Sequence, residues 1–579
     1  MLIKTGKKRR TVLQAIALLL VMSLAIFTIT CDDKDNSGVP PGGETPGGET
    51  PGNEIVPVIN YGETLSWGTE FTPATLGLNP GNDTTEIRLN WYSQGTPAEK
   101  VAKVRFIKGT KTEGTKLIEA EGAVAAANAG VWTNTSHKAV VTGLEPGSSY
   151  QYSVSTDGTN WSPMYNFKIP AKTGAFKFAV VADPQLNVTA PANTIKQVDI
   201  DSRYKADSTT AACWEETMQK IVAAGASFIA FGGDQVDITN AGNEAEYEFF
   251  YAPSGLRNLP FSPVSGNHDA HNPFMYHYNL PNVQEFADSA SFTDIQKMGN
   301  YFYLYNNILF VVLNTAPYPN NVTTAQPYIG FFKQTLQAAV AAHSGKYDWL
   351  IVQHHKSTAS VADHLADTDI QYYVEAGFET LMSEFNVDFV LAGHDHVYAR
   401  SFPLKGMDKG KISVPMKTGF NPVSGSTWNS PQDPIYFTFT TGSGIKYYAV
   451  RPDTTYNYFG PNAAGTLYVK NNVSYPYLGT VDSTGTTATA VGSTAYLAVG
   501  SATTYLPVSN AAYVQPYIPS YCIVEVNGRT IKFSTYPIGT SVHDGSVGVT
   551  NARNSSHGFT STAHNFNSNT PYDVITITK

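Results

Sequence analysis

The stretch "DFVLAGHDHVYAR" (residues 388–400) sets an apolar run directly before two histidines. The run has the composition of a buried β-strand, and Gly393 marks the point where that strand gives way to a loop. His394 and His396 therefore follow the carboxyl end of a strand, which is where ligands gather in α/β sheets. They are candidate metal ligands, and the prediction depends on what the other strand ends carry.

Four more apolar segments also end in residues that can coordinate a metal. They are "FKFAVVADPQ" (176–185), "SFIAFGGDQVD" (227–237), the residues leading into "SGNHD" (265–269), and "YDWLIVQHH" (347–355). The polar residues at these ends are Asp183, Gln185, Asp234, Asn267, His268, His354 and His355. One such residue is usually a cap or a solvated loop residue, but five strand ends of this kind indicate a shared site. Mixed carboxylate, amide and imidazole ligands favour zinc, iron or manganese over calcium.

The chain divides into two regions of different periodicity. Residues 56–170 read as short alternating strands between Gly, Asn and Asp turns, which predicts an all-β sandwich. Residues 171–449 alternate apolar strands with helical segments, which predicts an α/β catalytic domain. The stretch "VVTGLEPGSSYQYSVS" (140–155) looks like the corner of fibronectin type III domains, against which Tyr150 or Tyr152 would pack.

The ordered motifs "ADPQ", "GGDQVD", "SGNHD", "VQHH" and "GHDH" resemble those of calcineurin-like metallophosphoesterases. The preceding β domain makes the chain similar to the purple acid phosphatase branch, and the resemblance covers about residues 56–445. It implies an α/β (α+β) metallophosphoesterase β-sandwich flanked by helices, preceded by a fibronectin III-like sandwich. It also implies two divalent or trivalent metal ions, of Fe, Zn or Mn.

The resemblance implies a role for each motif residue. Asp183 and His396 would bind the first metal, and Asp234 would bridge both metals. The predicted ligands of the second metal are Asn267, His354 and His394. His268 would be catalytic, either stabilising the phosphoryl oxygens or protonating the leaving oxygen, with Asp269 orienting its ring.

Two positions depart from the family pattern, and one motif leaves a choice between adjacent histidines. Gln185 stands where the family has histidine, so the first metal is expected to bind more weakly. Asp237 stands where purple acid phosphatases have the tyrosine that gives their colour, so we predict no purple chromophore. Neighbouring strand residues point to opposite faces, so one of His354 and His355 is the ligand; the family pattern favours His354. The predicted substrate-binding histidines are His355, His271 and His364.

The implied reaction is hydrolysis of a small-molecule phosphate monoester by in-line attack of a hydroxide that bridges the two metals. A phosphodiesterase or nucleotidase on the same scaffold is an alternative. A non-catalytic surface-binding lipoprotein with a decayed site is another. The net charge of −9, with no basic block beyond the extreme N-terminus, argues against nucleic-acid binding.

The N-terminus predicts export. Residues 1–30 combine a cationic start with an apolar run, and they lead into Cys31 and a Gly/Pro-rich tether at 31–55. This resembles a bacterial lipoprotein signal, with lipid attached to Cys31 and the protein held at the periplasmic or outer surface of a membrane. An uncleaved anchor helix is the alternative. The other cysteines, Cys213 and Cys522, are paired or free.

The C-terminal part carries less chemical signal. Residues 450–510 form a Thr/Gly/Tyr-rich insertion, and residues 511–579 are predicted to add strands to the catalytic domain. Within the latter, "SYCIVEVNGRTIKFSTY" (520–536) predicts a hairpin that turns at Asn527 and Gly528.

Overall fold

The structure of the protein is a computed structural model. It describes residues 75–94, 102–109, 116–119, 121–124, 134–186, 209–237, 244–270, 274–284, 298–362, 364, 367–406, 414–416, 419–444, 448, 467–470, 473–476, 496–499, 504–507, 510–514, 519–538 and 569–579. The predicted signal segment, Cys31, the tether and His271 lie outside these residues. Within this part of the chain, no helix combines the length and apolarity that crossing a bilayer requires.

The N-terminal region is a sandwich of two four-stranded sheets, ordered β1-β2-β6-β5 and β4-β3-β7-β8. Its strands are β1 (Gly77–Pro80), β2 (Glu86–Gln94), β3 (Lys103–Lys108), β4 (Lys116–Glu119), β5 (Glu121–Val124), β6 (Asn134–Thr142), β7 (Ser149–Ser155) and β8 (Tyr165–Lys168). Side chains from both sheets, such as Trp91 and Phe106, form its buried core. The predicted all-β sandwich is therefore confirmed.

The two candidate corner tyrosines have different roles. The hydroxyl of Tyr150 accepts the backbone N–H of Glu145 at 2.6 Å, which is the contact of a tyrosine corner. The hydroxyl of Tyr152 instead donates to the carbonyl of Arg257 at 2.7 Å, and so joins the sandwich to the region that follows it. Tyr150 is thus the corner residue, because its hydroxyl reaches back along its own chain.

The region that follows contains two seven-stranded sheets, ordered β11-β10-β9-β26-β27-β28-β19 and β12-β13-β14-β15-β20-β16-β25. Up to the insertion, the strands are β9 (Phe176–Val181), β10 (Ile229–Phe231), β11 (Phe261–Ser262), β12 (Tyr301–Tyr305), β13 (Ile308–Val312), β14 (Trp349–Lys356), β15 (Phe389–Gly393), β16 (Tyr398–Ser401), β17 (Leu404–Lys405), β18 (Val414–Pro415), β19 (Ser426–Asn429) and β20 (Ile435–Thr438). Within residues 450–510 are β21 (Leu467–Lys470), β22 (Val473–Pro476), β23 (Tyr496–Val499) and β24 (Thr504–Pro507), and from the end of this range onward are β25 (Asn510–Val514), β26 (Ser520–Asn527), β27 (Thr530–Pro537) and β28 (Asp573–Thr578).

Six described α-helices accompany the two sheets. They are α1 (Thr209–Ala223), α2 (Glu244–Tyr251), α3 (Phe274–His277), α4 (Val322–Ala342), α5 (Thr368–Glu375) and α6 (Phe378–Glu384), and a 3₁₀ turn spans Ser254–Arg257. Apolar side chains of both sheets share one large core, to which Trp214 and Met218 of α1 belong. A second core forms between the second sheet and α4 to α6. The predicted β-sandwich flanked by helices is confirmed.

The C-terminal segment completes the first sheet. β26 and β27 form the predicted hairpin around Gly528, whose φ of 54° suits a tight turn. β26 pairs antiparallel with β9, and β28 pairs with β27. Strands from the far end of the chain therefore fix the strand that precedes Asp183. Cys213 and Cys522 are both buried and are not joined in a disulfide.

Candidate metal centre

The parallel strands bring the predicted strand ends to one place. β9, β10 and β11 run parallel in the first sheet, and β13, β14, β15 and β20 run parallel in the second. The loops after β9, β10, β11 and β15 and the end of β14 all carry polar residues at the carboxyl side of these strands. The residues that meet there are Asp183, Gln185, Asp234, Asn267, His268, His355, His394 and His396.

Asp234 is the centre of the cluster. Its Oδ2 accepts a hydrogen bond from Nε2 of Gln185 at 2.9 Å and lies 3.2 Å from Nε2 of His355. Its Oδ1 accepts the backbone N–H of His268 at 2.9 Å. One carboxylate therefore faces residues from both sheets, as a bridging ligand must.

The ring of His355 is held so that one nitrogen faces the centre. Its Nδ1 lies 2.8 Å from the carbonyl oxygen of Gly232, so Nδ1–H donates there and Nε2 is left to face the cluster. That Nε2 is 3.0 Å from Oδ1 of Asn267 and 3.2 Å from Nδ1 of His394. Four candidate donors, from Asp234, Asn267, His355 and His394, thus meet within a few ångströms.

Asp183 forms the other half of the cluster. Its carboxylate accepts the backbone N–H of His394, at 3.0 Å to Oδ1 and 2.9 Å to Oδ2. Nε2 of His396 is 3.5 Å from Oδ1 of Asp183, and Nδ1 of His355 is 4.0 Å from the same oxygen. Asp183 and His396 therefore lie together, on the side of the His355 ring that carries Nδ1.

The backbone at the cluster is in an uncommon conformation. Nine non-glycine residues in the described part of the chain have a positive φ. Five of them are candidate ligand positions, with φ from 38° to 73°: Asp183, Gln185, Asp234, His394 and His396. The left-handed region is costly for such residues and is found where a functional site requires it. The fold thus maintains unfavourable backbone geometry at the cluster.

Two glycines permit the close approach of the loops. A Cβ atom at Gly266 would overlap Oδ1 of Asp234, and one at Gly393 would overlap Oδ2 of Asp183. Both glycines immediately precede a motif residue, Asn267 or His394. Their missing side chains allow the backbone to contact the two carboxylates directly.

Of the two adjacent histidines, the structure places His355 at the cluster, whereas the family pattern favours His354. His354 lies on the opposite face of β14, where its ring is 4.8 Å from that of Phe378 on the helix side of the sheet. Both of its ring nitrogens are buried without a hydrogen-bond partner among the described residues. Burial, followed by the charge of His355, lowers the pKa of His354 to about 3. His355 takes the place predicted for His354.

The predicted partner of His268 is also corrected. The carboxylate of Asp269 accepts backbone N–H groups of Gly266 at 3.0 Å and Gln235 at 3.0 Å, so it clamps two motif loops together. The ring of His268 is held instead by Asp237: Nδ1 contacts its carbonyl oxygen and lies 3.8 Å from its Oδ1. Nε2 of His268 is 3.9 Å from Oδ2 of Asp234 and faces the cluster.

His364, one of the predicted substrate-binding histidines, lies beside the cluster. Its ring is 4.3 Å from that of His394, and its Nδ1 is 2.7 Å from Oδ2 of Asp367. Asp395 fixes this loop by accepting the backbone N–H groups of Ala362 at 3.2 Å and His364 at 2.8 Å. Asp395, the buried acid between the two histidines of "GHDH", therefore connects this loop to the cluster. His271, the other predicted loop histidine, remains outside the described residues.

The charges of the cluster suit metal ligands. Burial raises the pKa of Asp234, but the opposing effects of His355 and His268 are larger, so the net pKa is lowered and the carboxylate is ionised. Burial and then His364 and His355 lower the pKa of His394 well below its usual value, so this ring is neutral. Ionised carboxylate and neutral imidazole are the forms that bind metal.

A metal ion fits the residues present. Asp234, His355 and His394 bring three donor atoms within 4.8 Å of one another, and all three residues are buried. The Oε1 of Gln185 is buried beside them and accepts no hydrogen bond from the described residues. Two imidazole nitrogens 3.2 Å apart next to a carboxylate are also the donor set that borderline divalent cations prefer.

Both regions of the chain match known protein families. Residues 73–169 match the family described as purple acid phosphatase, N-terminal domain, and residues 176–398 match the calcineurin-like phosphoesterase family. Two curated relatives are uncharacterized proteins of Mycobacterium tuberculosis, from strains CDC 1551 / Oshkosh and ATCC 25618 / H37Rv. Each is 23% identical over 349 residues, which are 56% of this chain and 61% of the relative.

The fold is shared with a solved enzyme structure. Purple acid phosphatase PPD1, isolated from yellow lupin (Lupinus luteus) seeds, matches 88% of this chain and 74% of its own chain, with a TM-score of 0.53 and 14% sequence identity. The two matched domains follow each other in the order that the sequence motifs predict. The chain therefore carries a calcineurin-like phosphoesterase domain at residues 176–398, which holds the cluster, and a purple acid phosphatase N-terminal domain ahead of it at residues 73–169.

Proposed function

We propose that this protein is a dinuclear-metal phosphohydrolase that cleaves phosphate monoesters. The observation that carries the proposal is the convergence of five strand ends on Asp234, with Nε2 of His355 at 3.2 Å from its Oδ2. Family membership supports metal-dependent phosphoester chemistry. The number of metals and the preference for a monoester go further than the family match and are part of this proposal.

The two halves of the cluster divide the proposed ligands. Asp183 and His396 would hold one metal, and the buried amide oxygen of Gln185 would be available to it. Asn267, His355 and His394 would hold the other, and Asp234, which contacts Gln185 and His355, would be shared between them. When bound, the cations lower the pKa of water towards neutrality and offset negative charge on the phosphoryl oxygens.

His268 is the proposed group that acts on the phosphate itself. The Asp237 carbonyl holds its Nδ1, so the ring has one orientation and Nε2 points into the cluster. In the imidazolium form, Nε2–H donates to the phosphoryl group as the bond from phosphorus to the leaving oxygen breaks. Asp269 supports this indirectly, because it fixes the loop that carries His268.

A substrate comparison tests this function. Purified wild-type protein should hydrolyse nitrophenyl phosphate faster than bis-nitrophenyl phosphate, and Asp234→Asn should lose both bound metal and activity. Faster cleavage of the diester would favour a phosphodiesterase instead. Wild-type protein that binds less than one metal per chain and hydrolyses neither ester would indicate a non-catalytic surface protein.

We also propose that the protein is exported and anchored by lipid on Cys31. The support is the sequence alone: a cationic start, an apolar run, the cysteine, and a Gly/Pro-rich spacer. Cells that express the full chain and are fed alkynyl palmitate should label the wild type but not Cys31→Ser. Equal labelling of both would contradict the proposal. An unlabelled wild type that fractionates with membranes would favour the uncleaved anchor.

A further inference from the structure

Tyr318 is an exposed aromatic side chain on a loop beside the cluster. It lies between β13 and α4 and is 60% exposed, whereas Tyr513, the other exposed tyrosine of the described residues, is 37% exposed. Large apolar side chains that remain exposed near a site are often used for binding. The contacts of the loop explain why the ring of Tyr318 is exposed.

Those contacts hold the loop rigidly. Oγ1 of Thr315 accepts the backbone N–H groups of His355 at 3.2 Å and Lys356 at 3.0 Å. The carbonyl of Ala316 accepts a hydrogen bond from Nζ of Lys356 at 3.1 Å, and that of Pro317 accepts one from the hydroxyl of Tyr373 at 3.0 Å. Every residue from 315 to 317 is therefore tied to the sheet or to α5, so Tyr318 is presented on a fixed support.

The ring of Tyr318 has one covered face. Nζ of Lys356 lies 3.2 Å from its centroid, and that ammonium is itself buried and 2.5 Å from Oδ2 of Asp369. With one face over the ammonium and 60% of the residue exposed, the opposite face is left to solvent. An ordered ring with one free face is a stacking surface.

This surface is attached to the strand end that carries His355. Lys356 directly follows His355, which contacts Asp234, and the loop bonds to both of these strand residues. Burial, and then the carboxylates of Asp369 and Asp234, raise the pKa of Tyr318 to about 12. Burial raises the pKa of Tyr513.

We propose that Tyr318 is a substrate-binding residue that stacks on a planar aromatic leaving group, so that aryl or nucleoside phosphates are preferred over aliphatic ones. The proposal rests on the phosphohydrolase function above. Stacking on a fixed aromatic ring contributes enough to change binding about tenfold. The free face accepts either kind of planar group, because both stack through their π surfaces.

The test compares three substrates on four forms of the full protein. The substrates are adenosine 5′-monophosphate, nitrophenyl phosphate and glycerol 3-phosphate, and the forms are wild type, Tyr318→Ala, Tyr318→Phe and Tyr513→Ala. Tyr318→Ala should lower kcat/KM about tenfold on one or both aromatic substrates, mainly through KM, and change it less than twofold on glycerol phosphate. Tyr318→Phe and Tyr513→Ala should behave as wild type.

The outcomes separate the two proposals. Loss on adenosine monophosphate alone identifies a nucleoside leaving group, and loss on nitrophenyl phosphate alone identifies an aryl group. An equal loss on all three substrates would mean that Tyr318 only shields Lys356, and this inference would be refuted while the phosphohydrolase function stands. If metal-loaded wild type hydrolyses none of the three, the proposed function fails and the inference fails with it.

Discussion

Replacing His355 and His354 in turn separates the two faces of β14. The sequence pattern favours His354 as a ligand, whereas the structure places Nε2 of His355 within 3.2 Å of Asp234 and His394. We therefore expect His355→Ala to lose metal and activity, and His354→Leu to keep both. The two residues are adjacent, so any general effect of disturbing the strand applies equally to each.

The magnitudes follow from what each ring contacts. His355→Ala removes the nitrogen that faces three other donors, so metal affinity should fall by at least about a hundredfold, the upper range for losing even an indirect supporting contact. His354→Leu removes two buried nitrogens that lack hydrogen-bond partners among the described residues. Replacing such a group by an apolar one of similar size should raise the free energy of unfolding by about 1 to 2 kcal/mol.

Three assays on each purified variant check this. Metal content by mass spectrometry, kcat/KM on nitrophenyl phosphate, and the urea midpoint together separate a binding defect from a folding defect. The reasoning is refuted if His354→Leu loses its metal while retaining a normal urea midpoint. It is also refuted if His355→Ala keeps wild-type metal content and rate.

Three further predictions test other parts of the structure. Gly393→Ala should release metal, because the added Cβ would overlap the carboxylate of Asp183. The control Gly330→Ala, whose Cβ has open space in α4, should retain metal and gain about 0.5 to 1 kcal/mol in the free energy of unfolding. Retention of metal by Gly393→Ala would contradict this prediction. Gln185→His should tighten metal binding, measured by competition with a chelator, because imidazole is the better ligand; weaker binding would count against a ligand role at this position. Burial lowers the pKa of His137 from 6.5 to about 4, so the unfolded state binds the proton more readily than the folded state. The free energy of unfolding should therefore fall by roughly 3 kcal/mol as the pH drops from above about 6.5 to about 4. His137→Gln should flatten that dependence in urea titrations, and an unchanged slope would show that other groups cause it.

The sequence was sufficient to identify the strands that meet at the site. Each motif has an apolar strand before it, and the carboxyl ends of parallel strands lie at one edge of a sheet, so Asp183, Asp234 and His394 could be grouped without coordinates. The hairpin at Gly528 was equally readable, because an Asn-Gly pair between alternating residues has one common geometry.

The sequence did not predict the direction in which individual side chains point. In β14 both faces are apolar: Ile351 belongs to the core between the sheets and Val352 to the core under the helices. Alternation therefore gives two equivalent positions, and only the neighbours of the strand decide that His355 faces the site. Similarly, the contact of His268 with the Asp237 carbonyl is a backbone contact, which residue types do not reveal.

The stacking surface at Tyr318 could not be predicted from the sequence for a related reason. It depends on Lys356 being buried under the ring and paired with Asp369, a contact between residues separated by 38 and 13 positions along the chain. No local pattern marks a tyrosine whose partner is a lysine at the end of another strand.

The most direct test of the dinuclear proposal is to count and locate metal in the protein. Anomalous X-ray scattering from crystals of the metal-loaded protein, recorded at the absorption edge of the bound element, should show two peaks that flank Asp234, one beside Asp183 and His396 and one beside His355 and His394. A single peak, or peaks at other residues, would contradict the proposal that Asp234 bridges two metals.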